Sequence, residues 1–216
     1  KVCLGRKKMQ LNSKDISQLD RVKRLKIINS ITGIKPGNLI GTTSGEGVSN
    51  LAVFSSVVHL GSNPSLLGFV SRPQTSDTGH TLTNILQTGV YTINHIHPDL
   101  VEKAHFTSAK FPASTSEFDV CSLTEEYANN FQAPFVKESS FKMGMCLKEV
   151  IDIELNGTVL VIGEVNQIII PDSAFVDNDI DLEASCSVGI SGLNTYYTLK
   201  KIGKFPYARL GEIPQF

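Results

Sequence analysis

A hairpin signal in the second half of the chain constrains the fold more than any other feature of the sequence. In residues 147–155, apolar side chains such as Leu147, Ile151 and Leu155 are separated by charged ones, and this period of two is typical of a strand with one buried face. Asn156 and Gly157 follow directly, and this pair favours the two-residue turn of a β-hairpin. Residues 158–170 are apolar at nearly consecutive positions, which predicts a strand covered on both faces. In a barrel the interior would cover one face and a helix or a second subunit the other, so we favour a homodimer.

The rest of the chain predicts further strands interspersed with short helices. Apolar residues at helical spacing predict a helix over residues 16–28, capped by Ser13 or Asp15. Further helices are predicted over residues 81–87 and 98–106, and short helices joined by loops over residues 106–141, one of them starting near Thr124. Strands are predicted over residues 38–44, 48–60, 66–71 and 90–96, and within 187–205. Five or six strands with hairpins and flanking helices indicate a mainly β protein built on an antiparallel barrel.

Composition and charge exclude several classes of protein. The formal net charge is -1, so the chain lacks the basic character expected of a nucleic-acid-binding protein. No stretch reaches the roughly 18 apolar residues of a membrane helix, and no apolar core follows the basic start, so we expect a cytoplasmic protein. Residues 1–15 are expected to be an N-terminal extension and residues 16–216 a single domain. The cysteines match neither a metal motif nor a redox motif; they are Cys3, Cys121, Cys146 and Cys186.

Common catalytic motifs are also missing from the sequence. There is no GxSxG, no GxxxxGK[ST], and no GxGxxG between a strand and a helix, so a Rossmann dinucleotide site is not expected. His95 and His97 could place two imidazoles on one face of a strand. However, Pro98 follows at once and no nearby cysteine completes a set, so we predict no metal site and assign no catalytic residue.

Two segments carry the residue types of a site for an aromatic ligand with an anionic group. The first is the strand segment Ser49-Asn50-Leu51-Ala52-Val53-Phe54-Ser55-Ser56. Its small side chains would let a flat ring approach the backbone, and its hydroxyl and amide groups can form neutral hydrogen bonds. A serine-rich strand near the end of a barrel is the alternative interpretation.

The second segment would bind the anionic group. Arg72 and Thr75 follow the third predicted strand, and an arginine beside hydroxyl groups suits a phosphate. His80, Thr81 and Asn84 open the next helix, whose N-terminus attracts anions. A solvent-exposed arginine and simple helix capping are the alternatives.

These residues, in this order, resemble the flavin reductase-like, FMN-binding split-barrel family, in particular its flavoredoxin-like branch. The resemblance is carried by Asn38-Leu39-Ile40-Gly41-Thr42, the segment from Ser49 to Ser56, Asn63-Pro64, Arg72-Pro73, His80-Thr81-Leu82-Thr83-Asn84-Ile85 and Gly89-Val90-Tyr91-Thr92-Ile93-Asn94. Later stretches also match: Ser116-Glu117-Phe118, Ala133-Pro134-Phe135-Val136, Asn156-Gly157-Thr158 and Gly192-Leu193-Asn194-Thr195-Tyr196-Tyr197. The chain departs from the family pattern at residues 60–65, where an acidic residue and paired prolines are usual.

The resemblance implies a six-stranded antiparallel split barrel, a homodimer, and FMN near the dimer interface. Residues 50–56 would line the ring and the ribityl chain, and Arg72, His80 and Thr81 would lie near the phosphate. The implied activity is hydride transfer from NADH or NADPH to the flavin, with electrons passing on to free flavin or to a partner protein; His59, His105 and Lys110 are candidates for the nicotinamide side. A flavoredoxin-like carrier, a non-catalytic FMN-binding protein, an oxidase of the pyridoxamine-phosphate type and a barrel without flavin remain alternatives.

Overall fold

The computed structural model describes residues 8–73, 79–209 and 211–214. Its helices are α1 (Ser13–Gln18), α2 (Arg21–Ser30), α3 (His80–Thr88), α4 (Val101–Phe106) and α5 (Glu117–Val120), with 3₁₀ turns at Pro98–Leu100 and Asp172–Ala174. Its strands are β1 (Lys35–Pro36), β2 (Asn38–Thr43), β3 (Ser49–Phe54), β4 (Val58–Ser62), β5 (Ser65–Ser71), β6 (Val90–His95), β7 (Glu125–Glu126), β8 (Phe135–Val136), β9 (Lys142–Ile153), β10 (Thr158–Ile169), β11 (Phe175–Val176), β12 (Asp179–Ile180), β13 (Val188–Ser191) and β14 (Thr195–Thr198). No helix in these residues combines the length and the apolar character needed to cross a membrane.

The principal sheet has the order β3-β2-β6-β9-β10-β5-β4, and its neighbouring strands are antiparallel. The mainly β fold class is therefore confirmed, but the sheet has seven strands instead of the six expected. The predicted strand over residues 48–60 is in fact two strands, β3 and β4, interrupted at residues 55–57. The strand is interrupted because the Ser56 hydroxyl bonds to the backbone of Val70 in β5.

Contacts between opposite ends of this strand order close the sheet into a barrel. The rings of Phe54, at the end of β3, and Phe69, in β5, lie edge to face with centroids 5.0 Å apart. The Ser56 hydroxyl accepts a hydrogen bond from the Val70 N–H at 3.0 Å and donates one to the Val70 carbonyl at 3.1 Å. At this point of the barrel closure, the Ser56 side chain makes the two backbone hydrogen bonds with Val70 that a neighbouring strand would otherwise make.

The predicted hairpin is formed by β9 and β10. Ile153 and Thr158 are paired at its end, and Gly157 has a φ of +70°, a conformation that favours glycine. The prediction that this second strand is covered on both faces does not hold within one chain. Val161 is fully buried, but most other positions of β10 are only half-buried, because one face lines the interior and the other lacks full cover.

Apolar side chains on the two faces of β2 enter two separate cores. Ile40 joins the interior cluster of the barrel with Phe69, Tyr91 and Val161. Leu39 points to the other face and packs in an outer cluster of the chain, whose members include Leu51, Leu100, Ala104, Phe118, Val136 and Val188. The outer cluster attaches α4 and α5 to the sheet, and α3 contributes Leu82 and Ile85 to the interior cluster.

Two local predictions need correction. The single helix predicted over residues 16–28 is two helices, because the Asp20 carboxylate accepts hydrogen bonds from the N–H groups of Val22 and Lys23 and begins a new helix. The apolar residues Val22, Leu25 and Ile28 of α2 are also exposed. The helix predicted near Thr124 is instead strand β7, paired with β8. Thr124 does not cap a helix, since its N–H and hydroxyl both bond the Glu138 carboxylate.

Candidate functional site

Strand β3 carries the first predicted segment and lies at one edge of the principal sheet. Its side chains alternate between the two faces, as expected of a strand. The Asn50 amide points toward α3, where it donates to the Thr81 hydroxyl at 3.2 Å. Leu51 points the opposite way and packs in the outer core. Ala52 is half-buried, and its small side chain leaves the least bulk on the face that it shares with Asn50.

The hydroxyl of Ser49 belongs to a polar group on the outer face of β3. It lies 2.7 Å from the Ser116 hydroxyl and donates to the Glu125 carboxylate. Glu125 also accepts from the Tyr127 hydroxyl at 2.9 Å. Ser49 therefore connects β3 to the loop that precedes α5 and to β7, and in this arrangement its hydroxyl does not face the same side as Asn50.

Helix α3 lies beside the β2–β3 hairpin and is attached to it by buried amide and hydroxyl groups. The Asn84 amide donates to the Thr42 hydroxyl at 3.1 Å, and Asn84, Thr81 and Thr42 are all buried. Because the Thr81 oxygen accepts from Asn50, its own hydrogen remains able to donate to a further acceptor. The N-cap, Gly79, has a φ of +99° and no side chain with which to cap the helix. His80 follows it and is half-buried.

The remaining predicted residues lie on the segment that follows β5 and at the end of β3. Arg72 directly follows β5 and is exposed. The neighbouring Pro73 lies at the β9–β10 turn, where a Cβ added at Gly157 would be 3.6 Å from its ring. Ser55 is half-buried, whereas the Ser56 hydroxyl is committed to Val70. Thr75 lies outside the described residues.

Glu117 was not predicted as a site residue, yet the structure places its carboxylate beside β3 and near His80 of α3. One carboxylate oxygen accepts the Leu51 N–H at 2.8 Å, and the residue is 5% exposed. Burial raises the pKa of Glu117, and the Leu51 N–H, its own N–H and nearby His80 partly oppose that shift. In the sequence Glu117 resembles a member of a capping box, and its true partner is 66 positions away, beyond the reach of any local pattern.

The histidines considered from the sequence have other partners. His59 lies 3.1 Å from the Ser62 hydroxyl, and His105 lies 3.3 Å from the Tyr196 hydroxyl. His95 contacts the Ser187 hydroxyl at 2.8 Å, and His97 accepts the Ser140 N–H at 3.0 Å. Within the described ranges, no group of three His, Cys, Asp or Glu side chains is arranged to hold a metal ion. Lys110 is exposed.

Two cavities lie apart from the predicted residues. One, of about 410 Å³, lies between α4 and α5 and is lined in part by Phe106, Phe111 and Val120. The other, of about 330 Å³, lies beside the β11–β12 hairpin, where Lys201 pairs with Asp181 at 2.8 Å. Neither lining includes a residue predicted to contact the ligand.

Comparison with known proteins decides the family. Residues 32–180 match the model of the flavin reductase like domain. The chain belongs to this family. Its fold superposes with a TM-score of 0.89 on a split-barrel protein of Shewanella frigidimarina NCIMB 400 that is provisionally assigned as a flavin reductase, with 45% sequence identity over 93% of this chain and 100% of that one.

Two more distant proteins also resemble this flavin reductase-like chain, one in fold and one in sequence. The flavoredoxin of Desulfovibrio vulgaris (Miyazaki F) has the same fold, with a TM-score of 0.68 and 20% identity over 83% of this chain and 93% of that chain. An uncharacterised protein of Aquifex aeolicus is 26% identical over 125 residues, which span 57% of this chain and 64% of that protein.

The donor groups of this flavin reductase-like chain fit a flavin mononucleotide. The start of α3, the Thr81 hydroxyl and the Arg72 guanidinium could hold the phosphate, since helix N-termini and arginine both favour anions. The half-buried residues Ala52 and Ser55 could contact the ring. Three predicted residues also have contacts within the chain: the Leu51 side chain is in the core, the Ser56 hydroxyl closes the barrel, and the Asn84 amide holds α3.

Proposed function

We propose that this chain is an FMN-binding oxidoreductase that acts as an NAD(P)H-dependent flavin reductase. The observation that carries the proposal is the hydrogen bond from the Asn50 amide to the Thr81 hydroxyl, 3.2 Å long. It joins the strand proposed to contact the ring to the helix whose start is proposed to contact the phosphate. A ligand that is flat at one end and anionic at the other requires this combination, and family membership supports a flavin as that ligand.

Bound FMN would supply the hydride-accepting chemistry, so the protein has to bind and orient the cofactor more than to supply an acid or a base. Arg72 and the start of α3 would fix the phosphate. Asn50 and Thr81 would hold β3 and α3 at a constant separation, and the small side chain of Ala52 would let the ring approach the strand. Electrons would pass to free flavin or to a partner protein.

A flavoredoxin-like FMN carrier is the second candidate. The observation that favours it concerns the nicotinamide side: His59 and His105 are both hydrogen-bonded to residues of the same chain, Ser62 and Tyr196. Neither of the two histidines predicted for the nicotinamide side is therefore without a partner within the chain. Such a carrier would bind FMN without oxidising NADH or NADPH.

We also propose a cytoplasmic homodimer. The outer face of β9 and β10 is incompletely covered within the chain, and Ile151 is exposed together with Val58 and Leu60 of the edge strand β4. An apolar surface of this kind is typical of a protein interface. Light scattering on the purified protein should give the mass of two chains.

The colour of the purified protein and a nicotinamide assay test the function together. We expect FMN to be bound, with absorbance near 450 nm, roughly where the oxidised cofactor absorbs, and we expect NADH or NADPH oxidation to depend on added flavin. A coloured protein without nicotinamide oxidation would support the carrier. A colourless protein that also fails to bind added FMN would refute both candidates.

A further inference from the structure

Glu117 carries a buried carboxylate for which the proposed reaction has no direct use. The residue begins α5, and its carboxylate accepts the Leu51 N–H at 2.8 Å. A buried charge is costly unless it is hydrogen-bonded. A neutral glutamine could accept the same N–H, so the hydrogen bond alone does not require a charge at this position.

The position of this charge relative to β3 follows from strand geometry. β3 pairs only with β2 in the sheet, so alternate N–H groups of β3 point away from β2. The Leu51 N–H is one of these, since it donates to Glu117, and the Val53 N–H points the same way. Two residues of a strand span about 7 Å. The carboxylate is therefore about 10 Å or less from the backbone of β3 between Leu51 and Val53, a stretch that includes Ala52, which is proposed to contact the ring.

Among the residues that the structure describes, few other charged groups face this carboxylate. From α3, His80 is close enough to influence its ionisation. Directly after α5, the nearby titratable group is the Cys121 thiol, which is buried. From β7, Glu125 approaches β3 through the Ser49 hydroxyl, which also contacts Ser116. None of these groups is a lysine or an arginine, so an ionised Glu117 contributes negative potential along this edge.

We propose that Glu117 is a positioning residue whose carboxylate, anchored on the Leu51 N–H, makes the site bind oxidised flavin more tightly than reduced flavin. The inference rests on the proposed function. Oxidised and reduced FMN share the same phosphate, but the reduced ring carries one additional negative charge near neutral pH. The buried carboxylate repels that charge and therefore favours release of the reduced flavin, which is what a reductase that supplies reduced flavin to an acceptor requires.

The test compares the dissociation constants of the two forms of FMN at pH 8.5. Reduced FMN is prepared with dithionite under anaerobic conditions, and both forms are titrated into wild-type protein, Glu117→Gln, Glu117→Met and Asp119→Asn. Asp119→Asn is the matched control, because it removes one negative charge from an exposed position of the same helix. In Glu117→Gln we expect the ratio of the reduced to the oxidised dissociation constant to fall about tenfold, the effect of one charge at this distance in a protein environment.

The expected pattern is a lower ratio in both neutral variants of Glu117 and an unchanged ratio in Asp119→Asn. An unchanged ratio in either variant that folds, judged by circular dichroism, would overturn the inference. If neither neutral variant folds, the carboxylate is a requirement of the fold, and the inference is overturned as well. If the wild-type protein binds neither form of FMN, the proposed function itself fails, and this outcome is distinguishable from the others.

Discussion

The packing of Tyr91 against Gly163 gives a sharp test of the barrel interior. Tyr91 is fully buried, and its ring lies edge to face against Phe69 with centroids 5.6 Å apart. A Cβ added at Gly163 would lie 2.2 Å from the Tyr91 hydroxyl oxygen and 2.9 Å from Cζ. Neither atom can move away easily, because the surrounding core is closely packed. Gly163→Ala therefore forces one of the two strands or the ring to shift.

Overpacking of a core by one methyl group costs about 1–3 kcal/mol, and the closeness of both ring atoms places this substitution at the upper end of that range. A loss of about 3 kcal/mol lowers the melting temperature by roughly 6–12 °C in a chain of this size. Urea unfolding at fixed protein concentration measures the change. Gly45→Ala is the control, because its added Cβ would meet only the flexible Gln87 side chain at 3.4 Å.

A double substitution separates this contact from general strain. The Tyr91 hydroxyl has no hydrogen-bond partner among the described residues, so Tyr91→Phe removes a buried polar group at little cost, and a gain of about 1 kcal/mol is expected. When Gly163→Ala is combined with Tyr91→Phe, it should cost about half as much as in the wild type, since the contact with Cζ remains. Equal costs with and without Tyr91→Phe, or a Gly163→Ala protein as stable as the wild type, would refute the proposed packing.

Three further predictions concern the site and the electrostatics of the fold. Arg72→Ala should weaken FMN binding by about 1.5–3 kcal/mol in a fluorescence titration, with Arg72→Lys intermediate; unchanged affinity would remove Arg72 from the site. Burial, with a smaller effect from His97, lowers the pKa of His95 to about 4 from 6.5. As the pH falls, His95 is therefore protonated in the unfolded chain before it is protonated in the folded one. Stability should therefore fall as the pH drops from 6.5 to 4, by an amount on the order of 3 kcal/mol, and His95→Gln should lack this component in urea unfolding at each pH. Lys142 is buried and forms an ion pair with the partly exposed Glu126. Glu126→Gln leaves the buried ammonium without its counter-ion and should lower the free energy of unfolding by about 3 kcal/mol, which is more than the loss expected for Lys142→Met. A larger loss for Lys142→Met in thermal unfolding would contradict the assignment of Lys142 as the buried partner.

Features that depend on neighbouring residues could be predicted from the sequence. The β9–β10 hairpin follows from alternation and from an Asn-Gly pair, and Gly157 does adopt the positive φ that the turn requires. Helix α3, predicted over residues 81–87, ends where Gly89, with a φ of +73°, caps it. These signals succeed because turn and cap conformations are restricted by local sterics.

Features that depend on distant partners could not be predicted in this way. The interruption after β3 is explained by Ser56 bonding to Val70, 14 positions along the chain, and nothing near Ser56 indicates that partner. Periodicity predicted a helix through Leu19 but did not detect the competing cap at Asp20. Among the predicted site residues, Asn50 and Thr81 are hydrogen-bonded to each other, and the Ser56 hydroxyl bonds to Val70 where the barrel closes. That any of the predicted residues binds FMN stays a prediction.

The contact between Glu117 and Leu51 also bears on self-association of the chain. An edge strand with unpaired N–H groups can accept a strand from another molecule and begin an aggregate. At β3 a side-chain carboxylate already occupies one of these N–H groups, and α5 lies where an incoming strand would have to pair. A newly added strand would have to displace a buried charge from its donor. We therefore expect the same contact to hinder the addition of a strand from another molecule at β3.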